Sequence, residues 1–531
     1  MWTGMKDAIL AKGKVWTGEK SRRFCEAFFA EEGVITYVGD FSGVKRYAEG
    51  KNYKLYDYGE NLVMPGMTDA HIHLTAYAKQ DLYVNLSGVN SLEEIKPLLL
   101  AKAKEAPAGE WIRAVNFNET LWSDPRKPDL DFIDGLGLKN PIIISRYCGH
   151  FHAVNTTALK KGGLWEKNDV NIARKEDGSH LGQLTEGAAG PLIEAAAKIY
   201  ETPEYVAKLI ENSCLKLASE GITAVHACDA PSYALGEDLY ACQSLYESGR
   251  LPIRWACYHD QLPNYNIKSG FGNEMLFFAG LKLFADGTLG GRTCAMRNDF
   301  SDDHGNMGLL NHSDEEMRSL LTEAQKRGIN VQIHAIGDRA LEQTLDSINY
   351  VTALLGEPSV PYRINHAIVC PEDLLQKIRG GRVTIDLQPI QAHTDRGMTP
   401  SRVGRERMKS CYAFKSLYDS AYTVTGSSDA PIEDPNPWLG IWAAVNMTEM
   451  DGTPLEAFNK DECLSIDEAM EIYTANPWKA LGKEGRAGTI SLGKFADFTV
   501  VDGDPFALNK SDLRRVTHLA TFVGGKMVWS K

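Results

Sequence analysis

Short apolar runs separated by polar stretches recur through the middle of the chain. Amphipathic segments at 313–328 and 371–381 lie between such runs and have the periodicity of helices. Repeated strand and helix with eight strands predicts an α/β fold, a closed (β/α)8 TIM barrel in which the carboxyl ends of the strands meet at one mouth. The runs that have the length and composition of buried parallel strands are 61–66, 222–228, 253–259, 281–287, 329–337, 362–369, 383–389 and 422–431.

Both ends of the chain have a different pattern, in which apolar and polar residues alternate over short segments broken by glycine. Such alternation is typical of antiparallel sheet with one face exposed. We therefore predict one small β-sandwich domain built from residues 1–58 and 484–531, with a barrel domain over 59–483 inserted between its halves. Two separate β caps, one at each end, would produce the same pattern.

One interval breaks the rhythm of the predicted barrel. The first strand ends near residue 66 and the second begins near residue 222, which is too far for a single crossover helix. We predict an inserted subdomain over about 76–205 that shapes substrate access, as long insertions at barrel mouths commonly do. The alternative is that the apolar runs WIRAVNF and PIIISRYC, which lie within this interval, are themselves barrel strands.

Composition narrows the class of partner. The 531-residue chain carries a formal net charge of −13, and an acidic surface repels phosphate backbones, so we expect no nucleic-acid partner. No run of about 18 apolar residues predicts a membrane span. The N-terminus has no signal-peptide pattern, and the 10 cysteines form no Cys-x-x-Cys pair. We therefore expect a cytoplasmic protein without a disulfide framework or a thiolate zinc site.

The motif PGMTDAHIHL places two histidines directly after the first apolar run. His71 and His73 are two residues apart, so on a strand both imidazoles face the barrel interior. Two neutral imidazoles side by side are typical ligands of a divalent metal such as zinc. His150 and His152 have the same spacing but lead into a polar stretch without further ligands at strand ends, so we interpret them as substrate-facing or structural residues.

Three more residues stand late in predicted strands or directly after one. His334 and His366 each precede a polar loop, and either one alone is best explained as a hydrogen-bonded core histidine. Asp429 follows the last strand and precedes Ala430-Pro431, where a carboxylate can stabilise a turn or can bind a metal and take a proton from water. Because separate barrel strands converge at one mouth, these residues together with the two histidines of the first motif predict a metal centre.

Lys282 lies inside a predicted strand, where a lysine is costly unless it is paired. Asp286 has the same strand parity, so a buried ion pair between the two is one interpretation. The other interpretation is that the desolvated amine loses its proton and is carboxylated by carbon dioxide. The resulting carbamate is an anionic ligand that can bridge two metal ions.

These motifs together resemble the metal-dependent amidohydrolase superfamily, most closely its third family, the branch that includes N-substituted formamide deformylases. The resemblance runs through nearly the whole chain, from PGMTDAHIHL through LKLFADGTLGGRT, VQIHAIGDRALEQTLD, RINHA and GSSDAPIEDPNP to the tail GTISLGKFADFTVVDGDP. It implies a first-strand pair of metal ligands, an often carboxylated fourth-strand lysine, fifth- and sixth-strand histidines, and an eighth-strand aspartate that also shuttles the proton. By position these are His71, His73, Lys282, His334, His366 and Asp429.

The resemblance implies hydrolysis of an amide-type C–N bond, such as that of an N-substituted formamide or another non-peptide amide, by water activated at one or two divalent metal ions, with zinc expected. The same centre could instead act on a cyclic amide, deaminate a heterocycle, or cleave an ester or lactone. A third hypothesis is a catalytically inactive barrel scaffold. The presence of a suitable residue at all six ligand positions argues against it. We expect a small-molecule substrate and no membrane partner, and association into a homo-oligomer stays open. The candidate substrate contacts are His150, His152, Arg292 and His393.

Overall fold

The computed structural model describes residues 8–146, 151–200, 202–229, 238–263, 266–448 and 460–531. It contains three β-sheets, of seven, six and eight strands. The chain divides into two compact units: one comprises Met1–Leu74, Glu211–Ala234 and Cys242–Lys531, and the other comprises Thr75–Ile210 and Leu235–Ala241. The first unit holds the seven-stranded and eight-stranded sheets, and the second unit holds the six-stranded sheet.

The seven-stranded sheet, here called the terminal sheet, joins both ends of the chain. Its order is β21-β20-β19-β4-β1-β2-β3, in which β4 is parallel to β1 and antiparallel to β19. The two ends therefore build one sheet rather than two separate caps. Its strands are β1 (Ala8–Glu19), β2 (Arg22–Glu31), β3 (Val34–Gly39), β4 (Tyr53–Pro65), β19 (Phe498–Val501), β20 (His518–Val523) and β21 (Lys526–Ser530).

The terminal sheet curls around its own apolar core. The backbone N–H of Ala496, just before β19, donates to the carbonyl of Gly33 beside β3 at 2.9 Å, which brings one end of the sheet back to its middle. Inside, the rings of Phe498 and Phe522 stack at 4.2 Å, and Phe28 meets Phe498 edge-on at 5.0 Å. All three phenylalanines are fully buried, so the curled sheet has the enclosed core of a small β-sandwich.

The eight-stranded sheet forms the barrel. All its neighbouring strands are parallel, and they follow one another in chain order, so the predicted (β/α)8 fold is confirmed. The first and last strands are joined by the backbone N–H of Asp429, just after β18, which donates to the carbonyl of His71 in β5 at 2.8 Å. The strands are β5 (Met67–Ile72), β12 (Ile222–Ala227), β13 (Arg254–His259), β14 (Leu276–Phe284), β15 (Asn330–Ala335), β16 (Tyr362–His366), β17 (Val383–Leu387) and β18 (Thr423–Gly426).

The prediction of a first barrel strand at 61–66 is wrong. Those residues end β4 in the terminal sheet, and the barrel begins with β5, on the other side of Gly66. A Cβ on Gly66 would lie 2.2 Å from the Thr223 hydroxyl, so only glycine allows the chain to cross from one sheet to the other here. No polar turn separates the end of β4 from the start of β5, so the hydrophobic pattern does not indicate that the two strands belong to different sheets.

The second unit has its own sheet and core. WIRAVNF and PIIISRYC supply two of its neighbouring strands, β7 and β8, so the alternative that they are barrel strands is wrong. The sheet order is β10-β11-β9-β8-β7-β6, and Phe117, Ile142 and Ile144 lie in an apolar cluster against it. The strands are β6 (Tyr83–Asn85), β7 (Ile112–Phe117), β8 (Ile142–Arg146), β9 (Phe151–Val154), β10 (Ile172–Arg174) and β11 (His180–Thr185).

The helices connect and cover these sheets. The two helices predicted at 313–328 and 371–381 are α9 and α11, and α9 begins with a capping box in which Ser313 and Glu316 satisfy each other's backbone N–H groups. No helix in the described ranges is both long and apolar enough to cross a membrane. The α-helices are α1 (Phe41–Tyr47), α2 (Leu74–Gln80), α3 (Leu92–Glu105), α4 (Leu130–Asp134), α5 (Thr156–Lys161), α6 (Gly190–Tyr200), α7 (Pro203–Ser219), α8 (Asp238–Glu247), α9 (Asp314–Lys326), α10 (Asp338–Leu355), α11 (Glu372–Gly380), α12 (Pro389–Thr394), α13 (Thr399–Arg407), α14 (Phe414–Ser420), α15 (Pro437–Asn446), α16 (Ile466–Tyr473) and α17 (Ala475–Ala480).

The terminal sheet is fastened to the amino end of the barrel strands. Arg254, the first residue of β13, makes two hydrogen bonds to the Asp497 carboxylate at 2.6 and 2.9 Å, and both side chains are buried. The Thr521 hydroxyl of β20 donates to the carbonyl of Ala218, shortly before β12, at 2.7 Å. These contacts occupy the end of the barrel opposite the mouth, which leaves the mouth for the candidate site.

Candidate metal centre

Three predicted ligands converge at the mouth of the barrel. His71 lies near the carboxyl end of β5, His73 follows that strand, and Asp429 follows β18. Asp429 Oδ1 is 3.3 Å from His71 Nε2 and 3.2 Å from His73 Nε2, and all three side chains are buried. Their candidate donor atoms lie within 4.8 Å of one another. Two imidazoles and one carboxylate form the kind of three-ligand set that holds a catalytic zinc ion with one position open.

Backbone geometry fixes this convergence. The N–H of Asp429 donates to the carbonyl of His71, and the N–H of His73 donates to the carbonyl of Ala430, both at 2.8 Å. Asp429 adopts the left-handed conformation with φ of 59°, which turns its carboxylate toward the two histidines. A non-glycine residue is uncommon in this conformation, and functional sites are where such strain collects.

His366 is a candidate for a fourth ligand. Its Nδ1 lies 2.7 Å from the Gln388 amide oxygen, which only accepts, so Nδ1 carries the proton and Nε2 keeps its lone pair. Nε2 is buried, and no hydrogen-bond partner for it exists among the residues that the structure describes. Its ring centre is 5.3 Å from that of His71. A buried imidazole nitrogen without a partner fits a site built to hold a metal ion.

His334 lies beside His366, with 4.4 Å between the ring centres. Its Nε2 donates to the carbonyl of Gly287 at 2.9 Å and lies 3.4 Å from the Asp286 carboxylate, so Nδ1 is the nitrogen left for a metal. Burial lowers the pKa values of His71 and His334 well below the ordinary range and that of His366 to about 4. All three rings are therefore neutral at pH 7, which is the form that binds metal.

Lys282 reaches the same cluster from β14. Its side chain is fully buried, and its amine donates to the Asn365 amide oxygen and lies 3.2 Å from His71 Nε2. Burial lowers the pKa of this amine. Within the described residues Asp286 makes no ion pair with Lys282, because its carboxylate accepts three backbone N–H groups from the loops that follow β14 and β15. The structure therefore does not support the predicted ion pair between Lys282 and Asp286.

A buried polar network beneath the ligands was missed in the sequence. Arg363 donates to Asp386 at 2.8 Å, to the carbonyl of Ala70 at 2.9 Å and to His226 Nδ1 at 3.0 Å. Asn365 links this network to Lys282, because its amide nitrogen donates to Asp386 at 2.5 Å while its oxygen accepts from the lysine. The alternation of side chains along β16 could have indicated this network, because residues 363 and 365 both face the barrel interior. His366 does not follow the alternation, because its backbone has a φ of 75°.

The predicted substrate contacts stay predictions. His150 lies outside the described residues. His152 is buried on β9 in the second unit, with Nδ1 2.9 Å from the Ser145 hydroxyl. Arg292 makes two hydrogen bonds of 3.0 Å to Asp302, and His393 is buried in α12 with its ring 5.3 Å from that of Trp442.

A family model described as "Amidohydrolase family" matches residues 54–529 of this chain. The chain belongs to the amidohydrolase family. The match spans the end of the N-terminal strands, the whole barrel and nearly all of the C-terminal strands, so it covers every predicted metal ligand. The family assigned from the sequence motifs is thereby confirmed.

Individual amidohydrolase relatives match over their full length. The chain is 28% identical over 532 residues to the putative amidohydrolase YtcJ of Bacillus subtilis, which covers 99% of both chains. It is 25% identical over 550 residues to the N-substituted formamide deformylase of Arthrobacter pascens, covering 100% of this chain and 99% of that relative. Among solved structures, an uncharacterized metal-dependent hydrolase from Pyrococcus horikoshii is 26% identical, with a TM-score of 0.74 over 95% of this chain and 99% of that one.

Family membership and the geometry of the mouth give the same enzyme class. The chain is a metal-dependent hydrolase that acts on carbon–nitrogen bonds other than peptide bonds. The residues present fit the metal, because His71, His73 and Asp429 converge and His366 offers a buried nitrogen without a partner.

Proposed function

We propose that this chain hydrolyses a linear non-peptide amide of the N-substituted formamide class at one or two divalent metal ions, with zinc as the ion. The observation that carries the proposal is the convergence of His71 Nε2, His73 Nε2 and Asp429 Oδ1 within 4.8 Å of one another. Imidazole and carboxylate ligands suit zinc in this arrangement. The formamide class is supported by the full-length similarity to the Arthrobacter pascens deformylase.

Asp429 is the general base of the proposed reaction. Burial works to raise the pKa of this carboxyl, but the proximity of His73, His366 and Lys282 holds it below the ordinary value. Asp429 is therefore a carboxylate at pH 7 and accepts the proton of the attacking water, then returns it to the leaving nitrogen. A divalent ion bound by these ligands supplies a Lewis acid that polarises the amide carbonyl and lowers the pKa of water from about 16 toward 7.

Lys282 supplies a further ligand as a carbamate in this proposal. The amine is fully buried, its hydrogen-bond acceptor is the neutral Asn365 amide, and it lies 3.2 Å from a ligating nitrogen of His71. An amine in this position adds to carbon dioxide, forming the N–C bond and releasing one proton. The resulting carbamate would be an anionic group with two oxygens, the kind of ligand that could bind one or two ions beside His71.

Lys282→Ala tests the carbamate. We expect the variant to retain less than half of the wild-type metal content and to lose most amide hydrolysis, because one anionic ligand is removed. Short carboxylates such as acetate or propionate, added at millimolar concentration, should restore part of both, since they can occupy the space of the lost side chain. Full metal content in the variant without added carboxylate would contradict the ligand role of Lys282.

The metal centre itself is tested by elemental analysis of protein purified without chelator. Wild type should hold one to two equivalents of transition metal, and His71→Ala/His73→Ala should hold almost none. His304→Ala is the matched control, because it removes an exposed histidine outside the cluster and should leave the metal content unchanged. Equal metal in wild type and in the double variant would overturn the assignment of these ligands.

The substrate class is tested on metal-loaded wild type with four sets of compounds: N-alkyl and N-aryl formamides, cyclic amides, aminated heterocycles, and lactones. Release of formate from the first set at a kcat/KM at least tenfold above the others supports the proposal. Preference for a ring amide, release of ammonia or lactone opening would keep the metal centre and replace the substrate class.

A further inference from the structure

We propose that Asp69 and Ser428 form a clamp that holds the metal ligands His71 and Asp429 in register, which makes Asp69 a positioning residue of the centre. This inference rests on the proposed metal-dependent function. It concerns the seam of the barrel, where the first strand β5 meets the last strand β18.

The seam is the junction of the barrel wall at which the described strands form no β-ladder. β5 and β18 are the two ends of the sheet, and no ladder register pairs them in the described part of the chain. The metal ligands nevertheless come from both sides of this seam. Two backbone hydrogen bonds of 2.8 Å cross it, from Asp429 to His71 and from His73 to Ala430. Any sliding of one strand past the other would separate His71 Nε2 from Asp429 Oδ1.

Asp69 bridges this join with its side chain. One carboxylate oxygen accepts the backbone N–H of His71 at 3.1 Å on its own strand and the backbone N–H of Ser428 at 3.2 Å across the seam. The other oxygen accepts the Ser428 hydroxyl. The Ser428 hydroxyl oxygen in turn accepts the backbone N–H of Ala430 at 2.9 Å. The two side chains therefore hold the backbone on both sides of Asp429 and the backbone of His71.

The clamp lies beside an uncommon backbone conformation. Asp429 has φ of 59°, in the left-handed region that few residues other than glycine, asparagine and aspartate adopt. Asp69 and Ser428 are 2% and 5% exposed, so water does not compete for their hydrogen bonds. Residues that orient metal ligands in this way typically change metal affinity by about 10–100-fold when they are removed.

Two substitutions break the clamp in different places. Asp69→Asn keeps the shape but replaces one acceptor oxygen by an NH2 group, which cannot accept from a backbone N–H or from the serine. Ser428→Ala removes the hydroxyl and keeps Asp69, and Ser428→Thr restores a hydroxyl. Thr68→Val is the matched control, because Thr68 is the neighbouring residue on β5, is fully buried, and has a hydroxyl without a hydrogen-bond partner among the described residues.

The experiment loads each full-length variant with Co²⁺ and measures the visible ligand-field spectrum, the rate at which a chelator removes the ion, and the melting temperature. We expect Asp69→Asn and Ser428→Ala to shift the spectrum and to lose Co²⁺ at least tenfold faster than wild type. Thr68→Val and Ser428→Thr should match wild type in both. These readouts report the ligand geometry, which a purely structural role of the clamp would leave unchanged.

The outcomes separate the clamp from the proposed function. Wild-type spectrum and Co²⁺ loss in Asp69→Asn and Ser428→Ala, even with a lowered melting temperature, would overturn the clamp and leave the metal centre intact. If Asp69→Asn does not fold, Ser428→Ala alone decides between the same two results. Failure of wild type to bind Co²⁺ or zinc would overturn the proposed function and the clamp together.

Discussion

Asp429→Asn is expected to lower kcat by about a thousandfold while the protein remains folded, because general-base catalysis of this kind contributes about 10²–10⁴-fold. Asparagine has nearly the shape of aspartate but cannot take up the proton of the attacking water. The backbone hydrogen bond from residue 429 to His71 does not involve the side chain, so the turn is retained. The measurement is kcat and KM for an amide substrate at saturating zinc, together with a thermal melt.

Asp434→Asn is the control for this prediction. It makes the same substitution five positions later, at an exposed carboxylate whose hydrogen bond is to the backbone N–H of Asn436. Its kcat should stay near that of wild type. A kcat in Asp429→Asn within about threefold of wild type at saturating metal would remove Asp429 from the role of general base.

Arg363→Met is expected to lower the free energy of unfolding by about 3–5 kcal/mol. Arg363 and Asp386 are almost completely buried, and the guanidinium donates to the carboxylate through two nitrogens at 2.8 and 3.2 Å. Methionine fills much of the space but leaves the Asp386 charge without its main partner. A buried charge that loses its partner costs far more than the net stabilisation that the pair provides. Urea unfolding followed by circular dichroism measures the change.

Two comparisons isolate the buried charge as the cause. Arg363→Met/Asp386→Leu removes both charges, so it should be more stable than Arg363→Met alone. Arg250→Met removes an arginine that pairs with Glu211 on the surface, where its side chain is 54% exposed, and should change stability by less than about 1 kcal/mol. A loss below 1 kcal/mol in Arg363→Met would show that Asp386 is stabilised by its other donors.

Most of the barrel could be predicted because seven of its strands lie in short runs rich in apolar residues and bounded by polar stretches. Seven of the predicted runs contain or overlap a barrel strand, from β12 to β18. The first failed because β4 and β5 form one apolar stretch through Gly66, and hydrophobic periodicity cannot show that a chain leaves one sheet and enters another. The change of sheet at Gly66 depends on its close packing against Thr223, more than 150 positions away, where an added Cβ would lie 2.2 Å from the hydroxyl oxygen.

The convergence of the candidate ligands at the mouth could be predicted for a related reason. Parallel strands end at the same rim, so histidines at strand ends meet whatever the distances between them in sequence. The buried polar network of Arg363, Asp386 and Asn365 could not be predicted, because an arginine in a strand gives no indication of the carboxylate that pairs with it. Asp69 and Ser428 are 359 positions apart, and they meet because closure of the barrel places β5 beside β18. Local pattern gives the direction of a side chain, whereas its hydrogen-bond partner depends on the completed barrel.

The terminal sheet also imposes an order on biosynthesis. β4 leaves the ribosome long before its antiparallel neighbour β19, which is made about 430 residues later. At roughly 5–20 residues per second, this delay lasts about 20–90 s. Throughout that time the nascent chain carries β4 as an open edge, a ready template for pairing with other chains. β4 therefore cannot complete its pairing in the terminal sheet until β19 has been synthesised.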